Sequence, residues 1–294
     1  MVMRRILVTG RGGQLATALA DALPAQGFEA ILVGQPDFEF DDPATVAAAF
    51  AAAAPEAVVN CAAWTAVDAA EDHEPAAFRA NALGPAMVAA HCAARGIPLI
   101  QISTDYVYDG RKGVPYVETD APNPLGAYGR TKLAGEWAAL AGSPQTLVLR
   151  TAWVFAPMGN NFVRTMLRLG AERAELRIVA DQQGSPTAAP DLADAIAAIL
   201  VRIRDVGWQA QYRGVFHATG TGFTNWHAFA TAIFAASGRP APLLHAITTA
   251  DYPTKAIRPA DGRMDGTRLR ETFGVQLPPW QAGLERVMLA IKNE

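Results

Sequence analysis

Short apolar runs alternate with helical patterns along the first half of the chain. The runs are continuous, which is typical of strands buried on both faces, and they cover residues 6–8, 30–33, 57–60, 98–103 and 146–149. Helical spacing of apolar residues lies between them, over residues 14–23, 43–53, 75–94 and 126–141. Alternating strands and helices predict a parallel sheet that helices cover on both faces. We therefore predict an α/β protein with a doubly wound parallel sheet.

The pattern becomes less regular after residue 150. Asp191 has the side chain and the place of an N-cap at the start of a predicted helix. The predicted helices cover residues 161–170, 191–204 and 226–237, and strand-like runs cover residues 176–179 and 215–217. We predict a sheet domain over residues 1–152 and a smaller C-terminal lobe over residues 153–294. Elements between about residues 176 and 217 are expected to return to the sheet.

The composition excludes several classes of protein. The chain has 25 basic and 28 acidic residues, a net charge of −3, which provides no basic surface for nucleic acid or an anionic membrane. No apolar run approaches the roughly 20 residues of a membrane-spanning helix. The two cysteines, Cys61 and Cys92, do not make a disulfide framework. We expect a soluble cytoplasmic protein that binds neither nucleic acid nor membranes.

A glycine-rich segment joins the first predicted strand to the first helix. Gly10, Gly13 and Ala16 are each three residues apart. In a dinucleotide-binding loop, these positions give a tight turn, a close approach to the pyrophosphate, and close packing of helix on strand. The positive end of the helix dipole adds to anion binding. A glycine triplet alone is a weak signal, but its place between strand and helix predicts a Rossmann-type domain that binds NAD(P) over residues 1–152.

The end of the second strand bears on the choice of cofactor. An acidic residue there bonds the ribose 2′-hydroxyl of NAD, but this strand ends in Val33, Gly34 and Gln35. Without that carboxylate nothing repels a 2′-phosphate, so we predict NADPH, with NADH also accepted. Arg11 could bind the 2′-phosphate, and an ordinary solvated surface arginine is an equally good interpretation.

Three residues form a candidate catalytic group. Thr104 follows the fourth strand, where ligands bind in open α/β sheets. Tyr128 and Lys132 are four residues apart, on one face of a predicted helix. A nearby ammonium would lower the pKa of the phenol from about 10, and Tyr128 could then protonate a carbonyl oxygen as hydride reaches its carbon. Thr104 could give that oxygen a second hydrogen bond.

These motifs together resemble the extended short-chain dehydrogenases/reductases, and among them the dTDP-4-dehydrorhamnose reductase family. The resemblance runs nearly end to end. Its most specific segments are 103–110 and 181–187, and further matches cover 10–16, 60–68, 81–85, 128–136, 150–155 and 258–259. It implies that the chain uses NADPH to reduce the C4 ketone of dTDP-4-dehydro-β-L-rhamnose to dTDP-L-rhamnose. The C-terminal lobe would then bind the dTDP-sugar substrate.

The resemblance also implies roles for individual residues. The cofactor would contact Gly10, Gly13, Gln14, Leu15, Asp41, Asp42, Ala62, Ala63, Thr65, Tyr128 and Lys132. The sugar nucleotide would contact Thr104, Asp105, Tyr106, Trp153 and Arg258. Trp153 could instead be an aromatic plug where the two parts of the chain meet. Arg258 could be a rim salt-bridge residue, although a diphosphate substrate favours a cation at that place.

Metal binding, assembly and two rival functions stay open. Some relatives bind Mg²⁺ at a dimer interface through a glutamate shortly after the glycine loop, where this chain has Ala16, Thr17 and Ala18. We therefore predict no metal site, treat Mg²⁺ as doubtful, and expect a monomer or homodimer. The alternatives to a reductase are a nucleotide-sugar epimerase of the same superfamily and a non-catalytic regulatory subunit. A regulatory subunit would lack Tyr128 or Lys132.

Overall fold

The computed structural model describes residues 3–292 of the 294-residue chain. Its strands are β1 Arg5–Thr9, β2 Glu29–Val33, β3 Ala57–Asn60, β4 Leu99–Thr104, β5 Thr146–Thr151, β6 Val154–Phe155, β7 Glu175–Val179, β8 Gln183–Gly184, β9 Thr187–Ala188, β10 Gly214–His217, β11 Thr224–Asn225 and β12 Leu243–Ile247. Its α-helices are α1 Gln14–Ala25, α2 Pro43–Ala53, α3 Val67–Ala70, α4 Glu74–Phe78, α5 Gly84–Arg95, α6 Ala127–Gly142, α7 Phe162–Glu172, α8 Ala189–Val206, α9 Trp226–Ser237, α10 Thr267–Phe273 and α11 Trp280–Lys292.

A parallel sheet forms the centre of the protein. Within residues 3–292 it has six strands, in the order β10-β5-β4-β3-β1-β2. Val8 of β1 lies opposite Leu32 of β2 on one side and Val59 of β3 on the other. The chain runs from β1 to β2 and then crosses to β3 on the opposite side of β1, so a topological switch point lies between β1 and β3. The predicted class, an α/β protein with a Rossmann-type doubly wound parallel sheet, is confirmed.

The continuous apolar runs become strands because both faces of the sheet are covered. Ile6 and Val8 pack into a core cluster with α1 and α8, whereas Leu7 and Val58 pack into a second cluster with α2 and α5. Successive side chains of a strand point to opposite faces, so one run supplies both clusters. Complete burial of each such side chain contributes roughly 1.5–3 kcal/mol. The small side chain of Ala16 lets α1 lie close to the sheet.

The second half of the chain contributes to two regions. Strand β10 pairs in parallel with β5 at the edge of the main sheet, and α8 packs on α1. Strand β7 instead pairs with β12, outside the main sheet, and forms a separate apolar cluster with α7, α9 and α11. The substrate lobe predicted over residues 153–294 contains these elements, and its boundary at residue 152 stays a prediction.

Two helix predictions need correction. The helix predicted over residues 75–94 is divided by a π-helical segment, Arg79–Leu83, between α4 and α5. The N-cap predicted at Asp191 is wrong, since α8 begins at Ala189 and has Pro190 in its first turn, where proline is favoured. Asp191 lies inside that turn, and its carboxylate accepts a hydrogen bond of 2.8 Å from Arg286.

Candidate active site

Buried polar side chains join the carboxyl ends of β1 and β3 to the middle of β4. Thr9 donates its hydroxyl proton to Asn60 Oδ1, and Asn60 Nδ2 donates to Gln101 Oε1 at 2.7 Å. The backbone N–H of Ala62 donates to Thr9 Oγ1 at 3.1 Å. These bonds hold the loops after β1 and β3 side by side. None of the three side chains was a candidate in the sequence, although polar residues within apolar strand runs are a usable signal.

The glycine loop after β1 packs directly against the loop after β3. Gly10 has φ +81°, and a Cβ atom there would lie 3.0 Å from the backbone nitrogen of Ala62. Gly13 N–H donates to Gly10 O at 2.9 Å. No side chain caps the start of α1, so its first-turn amides face the loop. The side chain of Leu15 is buried in the core, and Gln14 Oε1 accepts a bond of 2.9 Å from Asn161 Nδ2.

Arg11 lies over the end of β2. Its Nη2 atom is 3.1 Å from Asp37 Oδ2 and donates to Gln35 O at 3.0 Å. A side chain on Gly34 would come within 2.9 Å of Arg11 Cβ. We expected no carboxylate here to repel a 2′-phosphate, because the end of β2 carries none. The structure corrects this expectation, since Asp37, which follows the strand end, reaches Arg11. Both side chains of this pair are largely exposed.

Asp41 and Asp42, which the resemblance places in contact with the cofactor, have local partners. Asp41 Oδ1 accepts a bond of 2.9 Å from Arg79 Nε. Asp42 caps α2 by accepting from Ala44 N–H at 3.1 Å, as its sequence position before Pro43 indicates. Both carboxylates therefore lie in the segment between β2 and α2. Their contact with a cofactor stays a prediction.

Asn81 fixes the segment that follows β3. This segment contains Ala62, Ala63 and Thr65 from the predicted cofactor set. Asn81 Oδ1 accepts from Trp64 N–H at 2.8 Å, and its Nδ2 donates to Trp64 O and to Thr131 Oγ1, each at 3.1 Å. Asn81 is buried in the π-helical segment, a feature that often marks functional sites. Sequence reasoning gave it no individual role.

The three candidate catalytic residues come together at the end of β4. Tyr128 lies in the first turn of α6, and its side chain is close to the Thr104 hydroxyl. Lys132, one turn further along α6, donates to Ile102 O at 2.7 Å. The ring of Tyr106 meets that of Tyr128 edge-on, with 5.4 Å between the centroids. Thr104 directs its own hydroxyl proton to Asp105 Oδ1, at 3.0 Å, rather than into the site.

Burial dominates the acid–base properties of this group. It raises the pKa of Tyr128 above the ordinary value, and the nearby Thr104 hydroxyl opposes that shift. It lowers the pKa of Lys132 to about 8, against the attraction of Glu136, and raises the pKa of Asp105 to about 7. The expected lowering of the Tyr128 pKa by Lys132 is therefore wrong in its net direction. The ammonium is directed at the Ile102 carbonyl, and burial of the phenol outweighs nearby polar contacts.

A buried ion pair lies beneath the site. Arg150 of β5 makes two bonds to Glu136 of α6, of 2.8 and 2.6 Å. Ser103 also donates to Glu136, and Arg150 donates to the Tyr108 hydroxyl at 2.6 Å. His217 Nε2 of β10 lies 2.8 Å from the same hydroxyl. The network ties α6 to β5 and β10, and so supports the helix that carries Tyr128 and Lys132.

A large cleft opens in the second half of the chain. Its volume is about 1290 Å³, and Arg258, Trp226 and Tyr252 are among its lining residues. Trp153 stacks on Trp226 with 3.5 Å between ring centroids, and a side chain on Gly184 would collide with its indole. Trp153 thus packs as an aromatic plug, and its contact with substrate stays a prediction. Arg258 Nη2 donates to Asp68 Oδ2 at 2.9 Å.

Comparison with known proteins decides the family. Residues 3–293 match the family model described as RmlD substrate binding domain. A dTDP-4-dehydrorhamnose reductase from Sinorhizobium fredii is 42% identical over 99% of this chain and 98% of the relative. The chain belongs to the dTDP-4-dehydrorhamnose reductase family. Its predicted membership of this family, and its class as an oxidoreductase, are confirmed.

Solved structures of this reductase family share the fold. A dTDP-4-dehydrorhamnose reductase from Clostridium acetobutylicum has a TM-score of 0.90 at 36% identity, and covers 98% of this chain and 99% of its own. A dTDP-4-dehydrorhamnose reductase from Bacillus anthracis, solved in complex with NADP, has a TM-score of 0.91 at 32% identity, with 99% and 100% covered. The NADP complex of this relative agrees with the NADPH predicted from the end of the second strand.

Two further findings concern membranes and metals. Among residues 3–292, no helix is long and apolar enough to cross a membrane. The same residues contain no group of three or more His, Cys, Asp or Glu side chains that could hold a metal ion.

Proposed function

We propose that this reductase uses NADPH to reduce the C4 ketone of dTDP-4-dehydro-β-L-rhamnose, which gives dTDP-L-rhamnose. The observation that carries the proposal is the meeting of Thr104, Tyr128 and Lys132 at the end of β4, beside the switch-point loops. Parallel strands present their carboxyl ends at one edge, so a cofactor on the glycine loop would reach this group. Its membership of the family supplies the substrate class.

The glycine loop has the shape that a dinucleotide needs. Gly10 and Gly13 have no side chains, so a pyrophosphate could approach the backbone closely there. The start of α1 has no side-chain cap, so its amide N–H groups are additional donors. We assign cofactor contacts to this loop and to Ala62, Ala63 and Thr65. NADPH, when bound, supplies the hydride. Cofactor binding in the Bacillus anthracis relative supports the assignment.

The Arg11–Asp37 pair suits both forms of the cofactor. An exposed ion pair contributes at most about 1 kcal/mol, so a 2′-phosphate could draw Arg11 away from Asp37. The freed carboxylate could equally accept a hydrogen bond from a ribose 2′-hydroxyl. We therefore propose NADPH as the cofactor and NADH as an accepted substitute.

Tyr128 is proposed to donate the proton. Because burial raises its pKa, the phenol carries its proton at neutral pH and can give it to the C4 oxygen. Lys132, with a pKa of about 8, is mostly an ammonium at pH 7 and would stabilise the tyrosinate that remains. Thr104, whose own proton goes to Asp105, would orient the phenol and through it the carbonyl.

The cleft is proposed to bind the dTDP part of the substrate. Its volume of about 1290 Å³ is ample for a nucleotide, and Arg258 offers a cation to the diphosphate. Tyr106, Asp105 and Trp153 would contact the sugar. A cytoplasmic location and a monomeric or homodimeric state stay predictions.

One assay tests this function against its rivals. A dTDP-4-dehydro-6-deoxy-sugar is supplied with its 3,5-epimerase, NADPH and NADH oxidation are followed in parallel, and NMR identifies the product. We expect oxidation of NADPH and a product with a C4 hydroxyl. Turnover without added reductant, with cofactor co-purifying stoichiometrically, would favour the epimerase. If neither NADPH nor NADH is oxidised, the interpretation that remains is a non-catalytic regulatory subunit.

A further inference from the structure

A strap formed by residues 254–258 docks on α3. Asp68 of α3 makes two contacts with this strap. One carboxylate oxygen accepts from Ala256 N–H at 3.0 Å, and the other accepts from Arg258 Nη2 at 2.9 Å. The partners are 188 and 190 positions away in the chain. A single carboxylate therefore holds both the backbone of the strap and its arginine.

The orientation of Arg258 depends on this carboxylate. The arginine side chain is 29% exposed and that of Asp68 is 44% exposed, so water reaches the pair only in part. Arg258 Nε is buried and has no hydrogen-bond partner within residues 3–292. The guanidinium is thus oriented through its bond to Asp68, and it lies near the side chain of Tyr106. Arg258 also lines the cleft.

The same contacts reach the candidate catalytic residues. Arg258 lies near the side chain of Tyr106, and the ring centroid of Tyr106 is 5.4 Å from that of Tyr128. Asp68 lies in α3. The loop that leads into α3 contains Ala62, whose backbone packs on Gly10 of the glycine loop. A displacement of Arg258 would therefore change the cleft directly, and it would reach Tyr128 only through the ring of Tyr106.

We propose that Asp68 is a positioning residue that aims Arg258 at the diphosphate of the substrate. For its substrate class this inference rests on the proposed function. Asp68 also neutralises part of the arginine charge, which by itself would weaken anion binding. The geometric effect outweighs the charge effect, because a phosphate gains most from donors already held in place. The two effects have opposite signs, so a binding measurement separates them.

The chain offers a matched control on the same strap. Lys255 pairs with Asp72, which lies just after α3, and both side chains are 52% exposed. This pair joins the same strap to the end of α3 and includes no atom of Arg258. Exposed ion pairs contribute little to stability, so its loss should leave the strap docked.

The experiment compares Asp68→Ala, Asp68→Asn and Asp72→Ala with the wild type. Calorimetry measures the Kd of dTDP in the presence of NADP⁺, and steady-state kinetics give kcat and KM for the sugar nucleotide. For Asp68→Ala we expect Kd and KM to rise about tenfold, equivalent to 1.4 kcal/mol. We expect kcat and the Kd of NADP⁺ to change less than about threefold. Asp68→Asn keeps one acceptor oxygen and should recover part of the loss, and Asp72→Ala should match the wild type.

Three results would overturn the inference. An unchanged dTDP Kd in Asp68→Ala would show that Asp68 does not position Arg258. Tighter binding would show that the carboxylate competes with phosphate. An equal loss in Asp72→Ala would mean that both aspartates only tie down the strap. If the wild type oxidises no cofactor, the proposed function fails, but the ratio of dTDP Kd values still decides the role of Asp68. Asp68→Asn, the milder change, decides the question if Asp68→Ala does not fold.

Discussion

Tyr128 and Lys132 lie one helical turn apart, yet burial moves their pKa values in opposite directions. Loss of water disfavours the charged form of each, which is tyrosinate in one and ammonium in the other. The pair therefore holds its protons at neutral pH, and burial makes the phenol a weaker acid than a tyrosine in water. Asp105 adds a third buried group, with a pKa of about 7.

Replacement of Tyr128 tests proton donation. Tyr128→Phe removes the proton but keeps the ring against Tyr106, so we expect kcat to fall roughly 10²–10⁴-fold. The Kd of NADPH, measured by fluorescence, should stay near the wild-type value. Tyr106→Phe is the comparison, because it keeps the ring contact and should alter KM more than kcat. Turnover close to the wild type in Tyr128→Phe would contradict the mechanism.

The pH profile tests the charge of Lys132. Its ammonium is present below a pKa of about 8 and is lost above it, so kcat/KM should fall as the pH rises through 8. Lys132→Arg keeps its charge at these pH values, and its profile should lack that descent although its rate is lower. Asp105→Asn identifies any change near pH 7 that belongs to Asp105. A descent at the same pH in Lys132→Arg would assign it to another group.

At the scale of elements, the sequence reveals what is local. Continuous apolar runs predict β1, β3, β4 and β5, and Asp42 before Pro43 marks the start of α2, because both signals lie within a few residues. The π-helical segment around Asn81 is hidden, since one extra residue per turn leaves little trace in helical periodicity. Contacts such as Asp68 with Arg258 join positions 190 residues apart, which no local pattern encodes.

The glycine loop allows a paired test of backbone fit. Gly10 and Gly12 have φ of +81° and +84°, so alanine is strained by about 1–2 kcal/mol at either position. A Cβ on Gly10 would also press on Ala62 N at 3.0 Å, whereas a Cβ on Gly12 meets no described atom within 4 Å. We expect Gly10→Ala to weaken NADPH binding at least about tenfold and Gly12→Ala by less than about threefold. Equal Kd values for the two variants would show that the loop contact with Ala62 does not matter.

At the scale of the whole molecule, buried charges link layers that the sequence places far apart. Arg150 and Glu136 join sheet to helix, and their side chains are 4% and 1% exposed. The network continues through Tyr108 to His217, whose pKa burial lowers to about 3. Each residue of this network is a polar residue within an otherwise apolar segment. Its hydrogen-bond partner is distant in the sequence and comes close only in the folded protein.

Removal of one partner of the buried pair should cost much more than removal of an exposed pair. Arg150→Met leaves Glu136 buried without its cation, and we expect a loss of about 3–5 kcal/mol in the free energy of unfolding, measured in urea. Arg130 lies on α6, the helix that carries Glu136. Arg130→Met breaks the exposed pair with Glu74 and should lower the free energy of unfolding by less than about 1 kcal/mol. Similar losses would mean that the buried pair is replaceable by apolar packing.

The position of β10 has a consequence for synthesis on the ribosome. When Thr151 has emerged, the chain holds every strand of the main sheet except β10, and β5 is an open edge. The partner for that edge arrives only after the whole of α8 has been made. During this interval β5 offers unpaired backbone groups and the apolar side chains of Leu147 and Leu149 to other chains. We therefore expect an exposed sheet edge on the nascent protein from residue 151 until β10 is complete at residue 217.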